Sequence, residues 1–503
     1  MQIEIETNLG EKLGKLKSYF TDLKFMQWET VIGLEVHIQL ALQSKLFALD
    51  NAAFGGEPNT HISTVTSAHP GALPVLNSKA FEFAVMMGLA CNSDITTENY
   101  FDRKHYFYAD LPKGYQVTQN TTPVCGRGKI TVRLTDGSPL EIAIHHIHLE
   151  EDAGKSIHDA EDKYSLIDLN RAGVALLEMV TEPVISSSEE AYAFLAAVRK
   201  IVRYIGISDG NMEEGSLRCD ANISLRKKGT EKLGVKTEIK NLNSMRYLQK
   251  ALQFEINRQQ KILDAGGEII QETRGFNSND GTTFSMREKE SSHDYRYFPE
   301  PDVPPFILSN DYIYNVKKSM PVLPEQYLNK FTGEFGIALQ DAITLTENHG
   351  TAIFFDSVSQ NYSSYKTTCN WILGPLRSLM NSDNEAVEKP AVSVAAFIKL
   401  LQMVDSGVIS YSAASQKVLP AIYKNEDADP EKIAVDMNVM MEKDDNATLN
   451  LVKEVLASMP DKVSEFRKGK KALLTLFIGE AMKKGKGKHN PAVIKSLIEK
   501  ELE

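Results

Sequence analysis

Between Val31 and Leu40 the chain reads VIGLEVHIQL, with Ile32, Leu34, Val36, Ile38 and Leu40 on one parity and Gly33, Glu35, His37 and Gln39 on the other. Strict alternation predicts a strand with one buried face. Residues i and i+2 of a strand project to the same side, so Glu35 and His37 leave the polar face together. The same period returns twice. KITVRLTDGSPLEIAIHHIHLEED reads as a hairpin turning at Asp136-Gly137. Its second strand sets His146, His148 and Glu150 opposite Ile147 and Leu149. In GSLRCDANISLR, Ser216, Arg218, Asp220, Asn222, Ser224 and Arg226 alternate with Leu217, Cys219, Ala221, Ile223 and Leu225, and Glu213 and Glu214 stand just before.

Helical periods lie between these strands. One runs from Ser78 to Leu89. A second opens on a capping box of Ser187 and Glu190, carries Phe194, Leu195, Val198, Ile201, Val202 and Ile205, and stops at Gly206. A third follows TEIKNLNSMR and ends at Gly266-Gly267. The proline cluster of 299–305 closes this strand-rich region by removing backbone donors. From about Val322 the chain becomes helical throughout, with NEDADPEKIAVDMN as an acidic linker turning into a helix. The pattern predicts an α+β domain followed by helical ones.

Composition narrows this picture modestly. A chain of 503 residues is too long for one core and suggests about two to four domains. The net charge of −11 excludes a wholly basic nucleic-acid binder, leaving room for a local basic surface. Cys91, Cys125, Cys219 and Cys369 are scattered without a CxxC pair, which fits a reducing cytoplasm. No apolar run approaches the roughly 20 residues that span a bilayer. The acidic, discontinuous N-terminal stretch is not a signal peptide. It reads either as an appended helix or as an upstream start with Met26 as the true beginning.

The candidate chemistry sits on the polar strand faces. A carboxylate beside an imidazole, as at Glu35 and His37, can hold a divalent metal or move a proton, and an ordinary solvated strand face is the other reading. Glu150, Glu151 and Asp152 crowd three carboxylates, which is costly unless water, a base or a cation neutralises them. FDRKHYFYADLPKGYQ interleaves aromatics with Arg103, Lys104, His105 and Lys113, a pattern that can grip a nucleotide or simply edge a core. Asp168, Asn170, Arg171, Glu178 and Glu182 stand in an otherwise apolar stretch, and Arg274, Arg287, His293, Asp294 and Arg296 follow later. Neither GxxxxGK[ST] nor GxGxxG occurs. Strand-borne acids with interspersed arginines suggest metal-assisted phosphoryl transfer, most simply ATP activating a carboxylate. A metal-dependent hydrolase needs many of the same groups. Residues 461–503 hold eleven Lys or Arg against six acids, so the tail is either a solvated surface or a phosphate-binding one.

WETVIGLEVHIQL, FDRKHYFYADLPKGYQ, HLEEDAGK, DGNMEEGSLRCDANISLR, TEIKNLNS, QETRGF and HDYRYFPEPD, in this order, resemble the B subunits of the tRNA-dependent aspartyl/glutamyl amidotransferases, the GatCAB complexes. The resemblance covers nearly all of the chain from about Trp28. It implies an N-terminal extension (1–27), a glutamine-synthetase-like antiparallel-sheet cradle domain (28–317), an all-α helical domain (318–428) and a small helical tail domain (429–503). It implies ATP and Mg²⁺ used to phosphorylate the side-chain carboxylate of misacylated Glu-tRNA(Gln) or Asp-tRNA(Asn). Ammonia from an A subunit then displaces phosphate, and the heterotrimer is tied together by a C subunit. The family's metal motif falls on Glu35, His37 and Glu150, and strand parity extends the acidic set to Glu214 and Asp220. Lys104, Tyr106 and Arg171 are expected at the nucleotide, and Arg218, Arg287 and Arg296 at the transferred phosphoryl group. Lys468, Lys470, Lys471, Lys486 and Lys488 are expected to hold the tRNA, because GKGKHNPAVIKSLIEKEL is similar to the family's terminal segment. Many members carry a four-cysteine zinc knuckle. Here its positions read Ala48, Asp50, Ser63 and Thr66, so no structural zinc is expected and the loop should be held by packing alone. Two other readings stay open: a tRNA-binding assembly scaffold without catalysis, and a free-standing ligase acting on a small molecule.

Overall fold

A computed structural model describes residues 28–158, 164–240, 242–288, 295–382, 389–425, 427–441, 445–485 and 488–502. The expected extension, together with His293, Asp294 and Lys486, lies outside them. The chain forms two compact units that divide between Glu325 and Gln326.

Fifteen strands lie in the first unit: β1 (Trp28–Gln39), β2 (Glu98–Asn99), β3 (Asp102–His105), β4 (Tyr115–Thr118), β5 (Gly128–Arg133), β6 (Pro139–Glu151), β7 (Lys155–His158), β8 (Ser165–Asp168), β9 (Ala175–Thr181), β10 (Leu217–Lys227), β11 (Thr237–Lys240), β12 (Glu272–Asn277), β13 (Thr282–Glu288), β14 (Phe298–Pro299) and β15 (Phe306–Ile307). Eleven of them build one sheet in the order β13-β12-β11-β10-β1-β9-β6-β4-β3-β14, with β5 paired to β6. The expectation of an antiparallel sheet needs one correction: β11 and β12 run parallel. A parallel pair requires a crossover, and the third predicted helix supplies it between the two strands.

Three helices pack on the apolar face: α1 (Ser78–Ala90), α2 (Ser188–Tyr204) and α3 (Met245–Asp264). Ser187 caps α2 as the sequence predicts, accepting from the Glu190 N–H at 3.1 Å. Glu190 reaches back one residue further than a standard box, taking the Ser186 N–H at 2.7 Å. Gly206, at φ +71°, ends the helix where a side chain would be strained. The parity of β1 holds in space. Ile32, Leu34, Val36 and Ile38 are buried in one core with Phe194, Val198, Leu248 and Ala251 of the helices, while Glu35 and His37 lie on the opposite, partly open face. Each such buried Ile or Leu contributes about 1.5–3 kcal/mol over an exposed one.

The segment after β1 corrects a second expectation. Packing does not act alone there. The Asp50 carboxylate accepts from the Ser63 N–H at 3.0 Å, the Ser63 hydroxyl at 2.9 Å and the Thr66 hydroxyl. Asp50, Ser63 and Thr66, three of the four positions expected to stand in place of a cysteine knuckle, thus form a hydrogen-bonded clasp, and Ala48 at the fourth is buried. Asp50→Ala leaves these donors without their acceptor and should destabilise the loop by about 1–3 kcal/mol. Faster amide exchange over residues 60–69 would report it; unchanged exchange would return the loop to packing alone.

The second unit is built from helices, with a bridge between Ile409 and Met440. Pro375 falls inside a π-helical turn of Ile372–Leu376, as expected where a residue has no N–H to give the ladder. The predicted acidic linker becomes a helix at Pro430–Asp436, capped by Asp429. Val452, Val455, Phe466, Phe477, Ala481, Ile494 and Ile498 form a separate small core towards the C-terminus. Among the described residues, no helix is long and apolar enough to cross a membrane.

Candidate metal centre on the polar face of the sheet

The register of four adjacent strands assembles the site. His37 on β1 stands opposite Arg218 on β10 and Glu178 on β9, and Glu178 in turn stands opposite His148 on β6. Glu150 lies two residues along from His148, across from Thr118 of β4. His37 Nδ1 is 3.6 Å from Glu150 and 3.9 Å from Glu178. His148 Nε2 is 3.5 Å from the same two carboxylates. Single ligand atoms from His37, Glu150 and Glu178 lie within 4.8 Å of one another.

The electrostatics match this geometry. Burial works against the charged form of His37, yet Glu150 and Glu178 raise its ring to about 9. Burial likewise opposes charge on His148, and the same two acids raise it. Burial penalises the Glu150 carboxylate, but the two imidazoles hold it well below the usual range. Glu35 is pushed up, first by burial and then by Glu178 and Asp220, with the Asn222 amide donating to it at 2.8 Å. His37 Nδ1 and Asn222 Oδ1 are buried without a hydrogen-bond partner. An imidazole nitrogen left unpaired between two carboxylates is a ready ligand position, so these residues fit a divalent cation.

The crowded acids 150–152 each find a separate partner, as the cost of bringing them together requires. Glu150 has the imidazoles. Glu151 accepts from the Val117 N–H at 2.9 Å and pairs with Lys113. Asp152 takes the Arg218 guanidinium at 2.8 Å and Arg171 Nε at 3.3 Å. Arg171 also donates to the carbonyls of Ala153 at 3.0 Å and Gly154 at 2.7 Å, tying down the turn after β6.

Of the residues expected at a metal, His37 and Glu150 therefore come together. Glu35 and Asp220 face each other across β1 and β10, where Lys240 sits 3.2 Å from Asp220. Glu214 is exposed in the turn before β10 and is not part of the cluster. Lys104 Nζ lies 5.1 Å from the Tyr295 ring centre and 5.9 Å from that of Tyr106, whose hydroxyl donates to Gln116. Burial opposes the charge on Lys104, but Glu150, Tyr297, Glu178 and Tyr295 together outweigh it and the ammonium is held above its usual range. Arg103, its neighbour, is turned away into a bidentate pair with Glu300. Arg296 is an exposed residue at φ +46° whose carbonyl meets His105. Arg287 lies on β13 opposite Thr273; its side chain is outside the described set.

Three members of the constellation were not assigned from sequence: Glu178, His148 and Lys240. Glu178 carried the most accessible signal, a lone carboxylate between Leu177 and Met179 in an apolar strand. His148 shares parity with Glu150. Lys240 follows Glu238 at a spacing of two within TEIKNLNS, the same period that placed Glu35 with His37.

The broad sheet gathers carboxylates, imidazoles and tethered cations onto one face. The profile of the GatB/GatE catalytic domain matches residues 30–314, and that of the GatB domain matches residues 353–502. The chain is similar to the B subunit of the aspartyl/glutamyl-tRNA(Asn/Gln) amidotransferase of Thermodesulfovibrio yellowstonii, with 44% identity over 94% of this chain and 99% of that one. The proteins of the same name from Syntrophotalea carbinolica (42% identity, 95% of this chain and 99% of that one) and Nitratidesulfovibrio vulgaris (43%, 94% and 99%) align equally fully. The chain belongs to this family of amidotransferase B subunits.

Proposed function

We propose that this chain activates the side-chain carboxylate of misacylated Glu-tRNA(Gln) or Asp-tRNA(Asn) with ATP, and that ammonia then converts it to the amide. The observation that carries the reading is the His37–Glu150–Glu178 cluster with Lys104 and Arg218 beside it. A carboxylate is a poor acyl donor because its oxygen leaves badly. Attack of that oxygen on the γ-phosphorus of ATP, with ADP leaving, gives an acyl-phosphate. Attack of ammonia on its carbonyl carbon then expels phosphate.

Mg²⁺ would be held by His37, Glu150 and Glu178, with Glu35 and Asp220 beside it, and would supply the charge neutralisation that phosphate oxygens need. The remaining work falls to protein groups. Arg218, Arg287 and Arg296 neutralise the transferred phosphoryl group, while Lys104, Tyr106 and Arg171 hold the nucleotide. Water must be kept from the acyl-phosphate, which favours ammonia delivered internally by an A subunit over ammonia from bulk solvent. In this reading the sheet unit is a glutamine-synthetase-like cradle, the later helices form a helical domain to 428 and a tail domain beyond it, and a C subunit completes a cytoplasmic heterotrimer.

ATP cleavage by the reconstituted complex should depend on Glu-tRNA or Asp-tRNA and be lost in Glu35→Gln. Cleavage indifferent to the tRNA would favour a small-molecule ligase, and no cleavage at all an assembly scaffold.

The tail is read as the tRNA-body surface. Lys468, Lys470 and Lys471 are exposed around Gly469, with Lys470 also 3.0 Å from Glu465 and Lys471 over the Phe466 ring. Lys488 is half-buried and donates to Asn438 at 2.8 Å, which leaves it less free for phosphate. Neutralising Lys468, Lys470 and Lys471 together should weaken tRNA binding and flatten its salt dependence by up to about three in the log–log slope. Unchanged binding would make these lysines ordinary solvated surface.

A further inference from the structure

The connection between β10 and β11 carries a charge that the site does not use. Residues 227–236 read KKGTEKLGVK, with four lysines against the single acid Glu231, in a chain whose net charge is −11. Lys227, Lys228, Lys232 and Lys236 are all exposed, and among the described residues none of them has a carboxylate at ion-pair distance. Arg226, just before them, does: it pairs with Glu29 at 3.0 Å. The backbone beneath the lysines is fixed. Gly229 turns at φ +79°, and Thr230 gives both its N–H, at 3.1 Å, and its hydroxyl, at 2.7 Å, to the Lys227 carbonyl. Gly234 lies so close over β10 that a Cβ there would stand 2.1 Å from the Leu225 carbonyl oxygen. The ammonium groups are therefore carried on a seated turn rather than a loose loop, which lowers the ordering cost of binding.

The turn also stands at a defined distance from the cluster. Arg218 is level with His37 in the β1–β10 register, and Lys227 ends the same strand about 30 Å further on at the rise of a β-strand. At about 3.4 Å per stacked nucleotide, that length is roughly nine nucleotides. An aminoacyl-tRNA whose esterified side chain reaches the cluster can therefore lay its unpaired 3′ end along the strand and bring the first pairs of its acceptor stem to the lysines. We propose that the β10–β11 turn holds that stem by its phosphates, with Lys227, Lys228, Lys232 and Lys236 as the contacts. Contacts of this kind fix the position of the RNA without reading its sequence, and an A-form stem is recognised largely by shape and backbone. The inference rests on the proposed function for the identity of the RNA. It adds a grip on the acceptor stem that is separate from the one proposed for the tail.

The test uses the reconstituted complex and an acceptor-stem minihelix, an RNA that keeps the 3′ end and the stem and lacks the tRNA body. Lys227→Gln, Lys228→Gln, Lys232→Gln and Lys236→Gln combined should weaken minihelix binding about 10–100-fold and flatten its salt dependence by up to about four in the log–log slope. The loss should be the same for minihelices of different stem sequence. Replacing the same four residues by arginine keeps the charge and should bind as wild type does. Equal minihelix binding by wild type and the glutamine variant would overturn the proposal, and so would a wild-type complex that leaves the minihelix unbound. Loss of the A and C subunits from the glutamine variant on gel filtration would overturn it too, by making the turn a protein interface. If wild type binds the minihelix through these lysines but cleaves ATP equally with its aminoacylated and free forms, the proposed activation fails while the grip on the stem stands.

Discussion

Glu150→Gln should slow tRNA-dependent ATP cleavage by about 10²–10³-fold while leaving the fold intact, the scale seen when one preorganised charged or hydrogen-bonding group is removed from a reacting centre. The substitution is nearly isosteric, so the sheet has no cavity to close. It removes the one carboxylate that stands 3.6 Å from His37 and 3.5 Å from His148. A second readout is independent of turnover. His37 is raised from 6.5 to about 9, against its own burial, by Glu150 and Glu178. A raised folded value means that the charged ring contributes stability below about 6.5, and that this contribution is lost as pH climbs through about 9. Without the Glu150 charge, burial regains ground and the midpoint must fall toward neutrality. Imidazole NMR of the metal-free chain measures this directly. A His37 midpoint still near 9 in Glu150→Gln would mean that Glu178 alone organises the imidazoles, and a Glu178→Gln variant should then show the shift instead.

Period-two alternation made one part of this site readable from sequence. It set Glu35 with His37, His148 with Glu150, and Arg218 with Asp220, and these faces do meet on one sheet. What alternation cannot give is the order of strands. β9 lies between β1 and β6, which puts Glu178 at the centre of the cluster, yet its strand is nearly all apolar and shows no polar face. Nor does parity say which acid will find which base. Arg218, read as free for phosphate, is also the partner of Asp152. The parallel β11–β12 pair escaped because strand direction is fixed by the α3 crossover, a tertiary fact. The Asp50 clasp escaped for the opposite reason: its residues were visible, but three polar side chains in a loop specify a network only once the backbone has folded.

Glu255→Ala should give a large loss of stability in the sheet unit, about 3–5 kcal/mol, because it takes a fully buried carboxylate away from two half-buried arginines, an amide and a hydroxyl at once. Glu255 on α3 is fully buried. Its carboxylate takes the Arg258 guanidinium at 2.6 Å, the Gln259 amide at 3.1 Å and the Thr283 hydroxyl at 3.1 Å, with Arg274 at 3.5 Å. Arg274 and Arg258 both continue to Glu272, at 2.7 and 3.2 Å. The network therefore ties α3 to β12 and β13, the strands that extend the sheet beyond Lys240. A chain of two compact units need not unfold in one step, so a global midpoint is a poor reporter. Amide exchange in α3 and β12 is a better one, and a loss of this size should speed it about 10²–10³-fold wherever exchange requires opening of this layer. Replacing Glu255, Arg258, Arg274 and Glu272 together by well-packed apolar residues should restore much of the protection, since the penalty lies in the unpaired charge. If the single and quadruple variants exchange alike, the network contributes through packing and not through charge.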